Sequence, residues 1–129
     1  MAVLYVLDAS ALLAVLFDEP GGALTGAALE HAAISAVNYT EVAVKLMRMG
    51  ASLPETIDSL NDLRLPIIPW DGTLAQEACD LSPLAWTHGL SLGDRACLAT
   101  ARHLRRTALT AERNWRKLPR LGVKIKFIR

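Results

Sequence analysis

The order of hydrophobic and polar residues predicts short buried strands separated by helices. The first block, residues 3–7, holds five consecutive apolar or aromatic residues, as is typical of a strand at the centre of a parallel sheet. The block stops at Asp8, and the residues that follow Ser10 have helical spacing. Asp8 therefore stands where a central strand ends and a helix begins, and ligands bind at that edge of open α/β sheets.

Strand and helix patterns repeat along the rest of the chain. Further strands are predicted at residues 33–35, 67–68, 107–110 and 123–128, the last with the alternating apolar and basic residues of an edge strand. Helical patterns lie between them and demand crossover connections. We therefore expect one α/β domain over residues 1–129, with a central parallel β-sheet flanked by helices on both faces.

Several side chains are expected in the core. The helix that Pro54 opens should bury Ile57. Cys79 and Cys97 lie in apolar helical patterns without a CxxC motif, so we interpret both as reduced core residues. The tryptophans are expected to be packing residues, namely Trp70, Trp86 and Trp115.

Composition excludes several classes of protein. Apolar residues make up 52% of the chain and charged residues 21%, which excludes a disordered chain. The apolar start lacks a basic segment and is interrupted by Asp8, so no signal peptide is predicted, and no apolar run is long enough to span a membrane. Together with reduced cysteines, these features predict a cytoplasmic protein without a membrane partner.

The net charge of +1 conceals a strong asymmetry. Residues 1–94 hold 12 acidic and three basic side chains, a net −9, whereas residues 95–129 hold 11 basic and one acidic, a net +10. The basic segment is a candidate surface for a polyanion such as RNA. A solvated face that pairs with the acidic part of the fold, or with a second subunit, explains the charge equally well.

Four acids fall at the ends of predicted elements, and each also has an ordinary structural explanation. Asp8 has the position of a helix N-cap, and Glu41 has Lys45 four residues later as an ion-pair partner. Asp94 follows Ser91 with the spacing of a capping box, and Glu112 has the position of a first-turn carboxylate.

The predicted topology nevertheless brings these four acids close together. If the strands at residues 3–7 and 107–110 are parallel neighbours, all four carboxylates gather at one edge of the sheet. Clustered like charges require a cation, and all-oxygen donors select Mg²⁺ or Mn²⁺. Such an ion activates water for phosphodiester hydrolysis. No phosphate-binding loop, GxSxG or HExxH motif offers competing chemistry.

The motifs around these acids resemble those of PIN-domain ribonucleases, specifically the VapC toxins of VapBC toxin–antitoxin pairs. The similar segments are Asp8-Ala-Ser10, Asn38 with Glu41, Leu90-Ser-Leu-Gly-Asp94, and Thr110-Ala-Glu112-Arg-Asn-Trp115. The resemblance covers essentially the whole chain. It implies an Mg²⁺- or Mn²⁺-dependent endoribonuclease, a homodimer, and a cognate VapB-like antitoxin that covers the acidic pocket.

The resemblance also implies roles for individual residues. Asp8 and Asp94 correspond to metal ligands, and Glu41 corresponds to a ligand or proton acceptor. The supporting polar residues are Ser10, Asn38 and Thr110. The fourth acid of the family is usually Asp, and the extra methylene of Glu112 carries its carboxylate about 1.5 Å farther out. That length favours a helper role through water. Basic residues near these motifs are expected to contact the RNA backbone, namely Arg95, Arg113, Arg116 and Lys117.

Two other classes of protein remain open from the residues alone. One is a receiver-like regulatory module with a phosphorylated aspartate, although Pro69 and Trp70 separate the strand at residues 67–68 from Asp71. The other is a non-catalytic RNA-binding protein whose acids serve as helix caps. The latter predicts no binding of Mn²⁺.

Overall fold

The computed structural model describes residues 2–129, which form a five-stranded parallel sheet. The strand order is β3-β2-β1-β4-β5, with every neighbouring pair parallel. The strands are β1 (Tyr5–Leu7), β2 (Ala32–Ser35), β3 (Ile67–Ile68), β4 (Thr107–Thr110) and β5 (Ile125–Phe127). The predicted α/β class is thus confirmed, with β1 at the centre of the sheet and β5 at its edge.

Seven α-helices within residues 2–129 connect the strands. They are α1 (Ala9–Leu16), α2 (Gly22–Ala28), α3 (Ala36–Arg48), α4 (Leu53–Asn61), α5 (Gly72–Asp80), α6 (Ser82–His88) and α7 (Leu92–Leu104). Two 3-10 turns follow α2 and β4, at Leu29–His31 and Arg113–Lys117. Local signals set the helix starts: Asp71 caps α5, and Ser52 and Ser91 form capping boxes for α4 and α7.

The sheet separates two apolar clusters, as expected for helices on both faces. Leu7 and Leu109 pack with Leu12 of α1 and Val42 of α3 on one face. Val6 packs with Leu98 of α7 on the other. Residues of β1 alternate between the two clusters because successive side chains of a strand point to opposite faces. The central strand is therefore buried on both sides, and its carboxyl end is held rigidly.

Three predictions of burial are wrong. In α4 the buried face is formed by Thr56 and Leu60, while Ile57 is exposed. Cys79 is exposed, although Cys97 is buried and both thiols are free. Trp86 is 81% exposed on α6, whereas Trp115 is buried as expected. A helical period shows that a helix has an apolar side, but the neighbouring elements decide which residues that side includes.

None of the helices formed by residues 2–129 is both long enough and apolar enough to cross a membrane.

Candidate functional site

Asp8 is buried at the carboxyl end of β1 and caps α1. Its side chain is 4% exposed. Oδ1 accepts hydrogen bonds from the Ser10 hydroxyl at 2.7 Å and the Ala11 amide at 2.8 Å, and Oδ2 accepts one from the Thr110 hydroxyl at 2.5 Å. The capping explanation of Asp8 is correct, but it accounts for only one of these three donors.

The polar residues Ser10 and Thr110 join the ends of β1 and β4. The Ala111 amide donates to the Ser10 hydroxyl at 2.9 Å, and the Glu112 amide donates to the Thr110 hydroxyl at the same distance. The backbone that carries Glu112 is therefore tied to the hydroxyls that hold Asp8. Two of the three predicted supporting residues, Ser10 and Thr110, therefore contact Asp8 directly.

The electrostatic setting of Asp8 opposes its ionisation. Burial raises the pKa of Asp8 from 3.8 to about 6. The hydrogen bonds from Thr110, Ala11 and Ser10 lower this pKa, and the charge of Glu112 raises it further. The carboxylates of Asp8 and Glu112 thus interact, as expected for neighbours at one edge of the sheet.

Glu41 on α3 extends toward the first turn of α7. Asn38 is buried, and its side-chain Nδ2 donates to Glu41 Oε1 at 2.7 Å and to the Gly93 carbonyl at 3.0 Å. Burial raises the pKa of Glu41, the Asn38 hydrogen bond lowers it, and the charge of Asp94 raises it. Within residues 2–129 Glu41 forms no salt bridge, so the alternative pairing with Lys45 is not observed.

Asp94 forms the predicted capping box at the start of α7. Its Oδ2 accepts from the Ser91 amide at 2.9 Å, while its own amide donates to the Ser91 hydroxyl at 3.1 Å. The side chain is half-buried and close enough to Glu41 for the two charges to interact. Glu41 and Asp94 therefore form a second pair of carboxylates.

The buried thiol of Cys97 lies near three of the four acids. Burial raises the pKa of Cys97 well above its ordinary value, and the charges of Asp8, Asp94 and Glu41 raise it further. A single sulfur on α7 can respond to three acids only if all three lie nearby, since these interactions weaken with distance.

The oxygen donors of these acids suit a divalent cation, although the acids do not form a closed coordination cage. No group of three or more His, Cys, Asp or Glu side chains within residues 2–129 is placed to hold a metal ion. The acids instead stand as two interacting pairs, Asp8 with Glu112 and Glu41 with Asp94. Mg²⁺ is commonly held by one or two carboxylates and several waters, which matches oxygen donors arranged in this way.

The basic residues of the C-terminal segment are divided between the two edges of the sheet. Arg113 and Lys117 are exposed beyond Glu112, at the edge that carries the acids. Arg95 instead donates to the Ser82 hydroxyl at 3.1 Å, and Arg116 lies 4.2 Å from the centroid of the Phe127 ring. These two structural contacts were not anticipated from the sequence.

A basic groove of about 470 Å³ crosses the opposite edge, at the amino ends of the strands. It is lined by Arg105, Arg106 and Lys124 together with Tyr5 and Thr107. We call Arg105 and Lys124 the distal pair. Positive charge near the acids is therefore less concentrated than the sequence suggests.

Salt bridges account for part of the remaining positive charge. Arg102 pairs with Glu77 at 2.9 Å and with Asp80 at 3.0 Å. For Arg102, therefore, the basic segment pairs with the acidic part of the fold, which is the alternative to a polyanion surface.

Gly93 is the residue of this site that sequence reasoning did not single out. A Cβ built on Gly93 would lie 2.3 Å from Glu41 Oε1. The signal available in the sequence was a glycine inside the first turn of a helix, where glycine is unfavourable.

The model of the PIN domain family matches residues 5–121. No curated protein matches the sequence significantly.

Solved structures with the same fold include complexes named VapBC. VapBC2 from Rickettsia felis, bound to a DNA fragment from its promoter, superposes with a TM-score of 0.75 at 14% identity and covers 97% of this chain and 98% of its own. VapBC-1 from nontypeable Haemophilus influenzae gives 0.73 at 12% identity, with 98% of each chain covered. A toxin–antitoxin complex from Klebsiella pneumoniae gives 0.70 at 21% identity, with 97% and 98% covered. At these identities the likeness concerns the fold.

Proposed function

The chain belongs to the PIN domain family, and from this premise we propose that it is a Mg²⁺- or Mn²⁺-dependent endoribonuclease that acts as the toxin of a type II toxin–antitoxin pair. The observation that supports the proposal most directly is the gathering of Asp8, Glu41, Asp94 and Glu112 at the carboxyl edge of the sheet, where the charges interact in pairs. PIN domains are generally divalent-metal nucleases. A merely capping role gives no reason for four acids to share one edge.

Asp8 and Asp94 would hold the divalent cation, which when bound lowers the pKa of a water molecule and neutralises charge on the phosphate. Ser10, Thr110 and the Ala11 amide orient the Asp8 carboxylate through three hydrogen bonds. At neutral pH Asp8 is mainly ionised because its pKa of about 6 lies below that pH. It therefore presents negative charge in a fixed position.

Glu41 is the residue best placed to accept the proton of the attacking water. Its pKa is raised by burial and by Asp94, which makes it a better base than an ordinary glutamate. Asn38 holds the carboxylate by a hydrogen bond at 2.7 Å. Glu112 is exposed and assists through water, as its longer side chain suggests.

RNA is the proposed substrate, bound through its phosphates. Arg113 and Lys117 offer exposed positive charge at the edge that carries the acids. Arg95 and Arg116 are held by contacts within the protein, so we assign them the lesser part of this binding. Phosphate contacts position a nucleic acid without reading its sequence.

Exchange of Asp8 for Asn tests the proposed activity. We expect Asp8→Asn to abolish RNA cleavage in Mg²⁺ while the fold remains intact, because the amide keeps the shape of the carboxylate but not its charge. Asp71→Asn is the matched control, since Asp71 also caps a helix, with Oδ1 accepting from the Leu74 amide at 2.9 Å. Cleavage by Asp8→Asn at the wild-type rate would contradict the proposal.

Calorimetric titration with Mn²⁺ separates this function from the non-catalytic RNA-binding alternative. We expect binding heat from the wild type and weaker binding by Asp94→Ala. If neither protein released heat, the acids would be caps alone. The receiver-like alternative is set aside because the chain is a PIN domain.

An antitoxin partner similar to VapB is proposed from the groove beside Glu41. The groove measures about 430 Å³ and lies between α1 and α3, and its lining includes Leu13, Val44 and Lys45. A bound segment there would cover the acidic edge. A neighbouring gene for a small protein with a DNA-binding amino-terminal part would support the pairing, and its absence from the operon would argue against it.

A homodimer and a cytoplasmic location complete the proposal. Trp86 and Leu92 are 81% and 54% exposed, and these large apolar side chains are the candidate contacts with a second copy. Free thiols at Cys79 and Cys97 are typical of a reducing compartment.

A further inference from the structure

We propose that Gly93 is a positioning residue that seats the Glu41 carboxylate, because its missing side chain leaves the space that the carboxylate occupies. The role of Glu41 as a proton acceptor is taken from the proposed function. The placement itself rests on the contact between α3 and α7.

Space, and not backbone freedom, explains a glycine at this position. Gly93 lies in the first turn of α7, and its φ is not positive. A helix position disfavours glycine, so the residue is not explained by its conformation. A Cβ here would stand 2.3 Å from Glu41 Oε1 and 2.6 Å from both Cδ and Oε2. Any other amino acid would collide with the carboxylate.

Asn38 holds the same carboxylate by a hydrogen bond. Its Nδ2 donates both to Glu41 Oε1 at 2.7 Å and to the Gly93 carbonyl at 3.0 Å, so one amide group links the two helices. Because both neighbours are acceptors, the side-chain nitrogen of Asn38, and not its oxygen, must face them. The Glu41 carboxylate is thus hydrogen-bonded to a side-chain amide on α3 and packed against the bare Cα of Gly93 on α7.

A methyl group at Gly93 should displace this carboxylate with little effect elsewhere. Ordinary contact with a Cβ begins near 3.4 Å, so Oε1 must withdraw by about 1 Å from its present 2.3 Å. The atoms that collide lie at the far end of the flexible side chain of an exposed residue, and not on the backbone. A 1 Å misplacement of a reacting group can lower a rate by about 100-fold.

The test compares Gly93→Ala with Gly26→Ala in the full-length protein. Gly26 is also helical, and nothing lies within 4 Å of its added Cβ. We expect alanine to raise Tm by a few degrees in Gly26→Ala and not to lower it in Gly93→Ala, because alanine favours helix. With Mg²⁺ present, kcat should fall by about 100-fold in Gly93→Ala, with KM within about threefold of wild type, and stay unchanged in Gly26→Ala. Wild-type kcat in Gly93→Ala would overturn the proposal.

A Glu41→Ala background shows whether Gly93 acts through Glu41. There the added methyl group meets no carboxylate, so Gly93→Ala should cause no further loss. An equal loss in both backgrounds would overturn the proposal, since the effect would then not pass through Glu41.

The side-chain amide resonances of Asn38 give a readout that does not depend on cleavage. In metal-free protein they should shift in Gly93→Ala, which disturbs the acceptor Oε1, and remain in place in Gly26→Ala. If Glu41→Ala cleaved RNA at the wild-type rate, the proposed role of Glu41 would fail while these resonances still tested the seating. Unchanged Asn38 resonances in Gly93→Ala would overturn the inference itself.

Discussion

Replacement of Asp8 by Asn should stabilise the protein at neutral pH. Asp8 is buried, and burial raises its pKa from 3.8 to about 6. An acid with a raised pKa holds its proton more tightly in the folded than in the unfolded protein, so unfolding releases a proton between these values. The free energy of unfolding therefore falls as pH rises from about 4 to about 6 and levels off above that range.

The size of the effect follows from the two pKa values. One pKa unit corresponds to about 1.4 kcal/mol, so the rise from 3.8 to about 6 amounts to about 3 kcal/mol of lost stability once Asp8 is ionised. Asn does not titrate, and its Oδ1 can still accept from Ser10 and the Ala11 amide. The Thr110 hydroxyl can accept from the new Nδ2. Asp8→Asn should therefore match wild type near pH 4 and exceed it by about 3 kcal/mol at pH 7.

Urea unfolding in the presence of a chelator measures this difference. The raised pKa of Glu41 and the lowered pKa of Glu55 are common to both proteins and cancel when the two curves are subtracted. The difference between variant and wild type should grow between pH 4 and pH 6. A constant difference across this range, or a variant less stable than wild type at pH 7, would refute the reasoning that burial dominates at Asp8.

Three further predictions concern the cap of α7, the basic residues and the exposed Trp86 side chain. Ser91→Ala should lower the free energy of unfolding by about 1 kcal/mol in urea, because it removes the hydroxyl that accepts from the Asp94 amide. The cleavage rate should change little, since the Ser91 backbone amide that donates to Asp94 Oδ2 remains; a large loss of rate would show that the Ser91 hydroxyl also orients Asp94. Replacement of Arg113 and Lys117 by Gln should raise KM and flatten its salt dependence by about 1.4 in log–log slope, whereas the same change at the distal pair should leave KM alone. Trp86→Ser should shift a dimer toward monomer in sedimentation, and an unaltered sedimentation coefficient would place the interface elsewhere.

The sheet and the position of Asp8 could be predicted because their causes are local. A buried apolar run that ends at an aspartate contains both the strand and the cap in eight residues, and Asp71 and Ser91 are equally local signals. The parallel direction of the strands follows from the crossover helices between them, whereas the full strand order was not predicted.

Features that depend on contacts between distant segments could not be predicted in this way. Asn38 and Gly93 are 55 residues apart, and nothing near either one shows that they meet. Ile57 has the spacing of a core residue, but the neighbours of α4 bury Thr56 instead. Charge along the chain likewise gave no indication that the basic residues would divide between two edges of the sheet.

Capping and chemistry are compatible roles for the same carboxylate, although the sequence presents them as alternatives. A carboxylate has about four lone-pair positions, and a capping amide uses one of them. In Asp94 the Ser91 amide binds Oδ2, which leaves Oδ1 for another partner. In Asp8 the Ala11 amide and the Ser10 hydroxyl donate to Oδ1, and the Thr110 hydroxyl donates to Oδ2, without neutralising the charge. Because the backbone amide fixes the direction of each side chain before any ligand arrives, the helix cap itself supplies the preorganisation that a metal ligand requires.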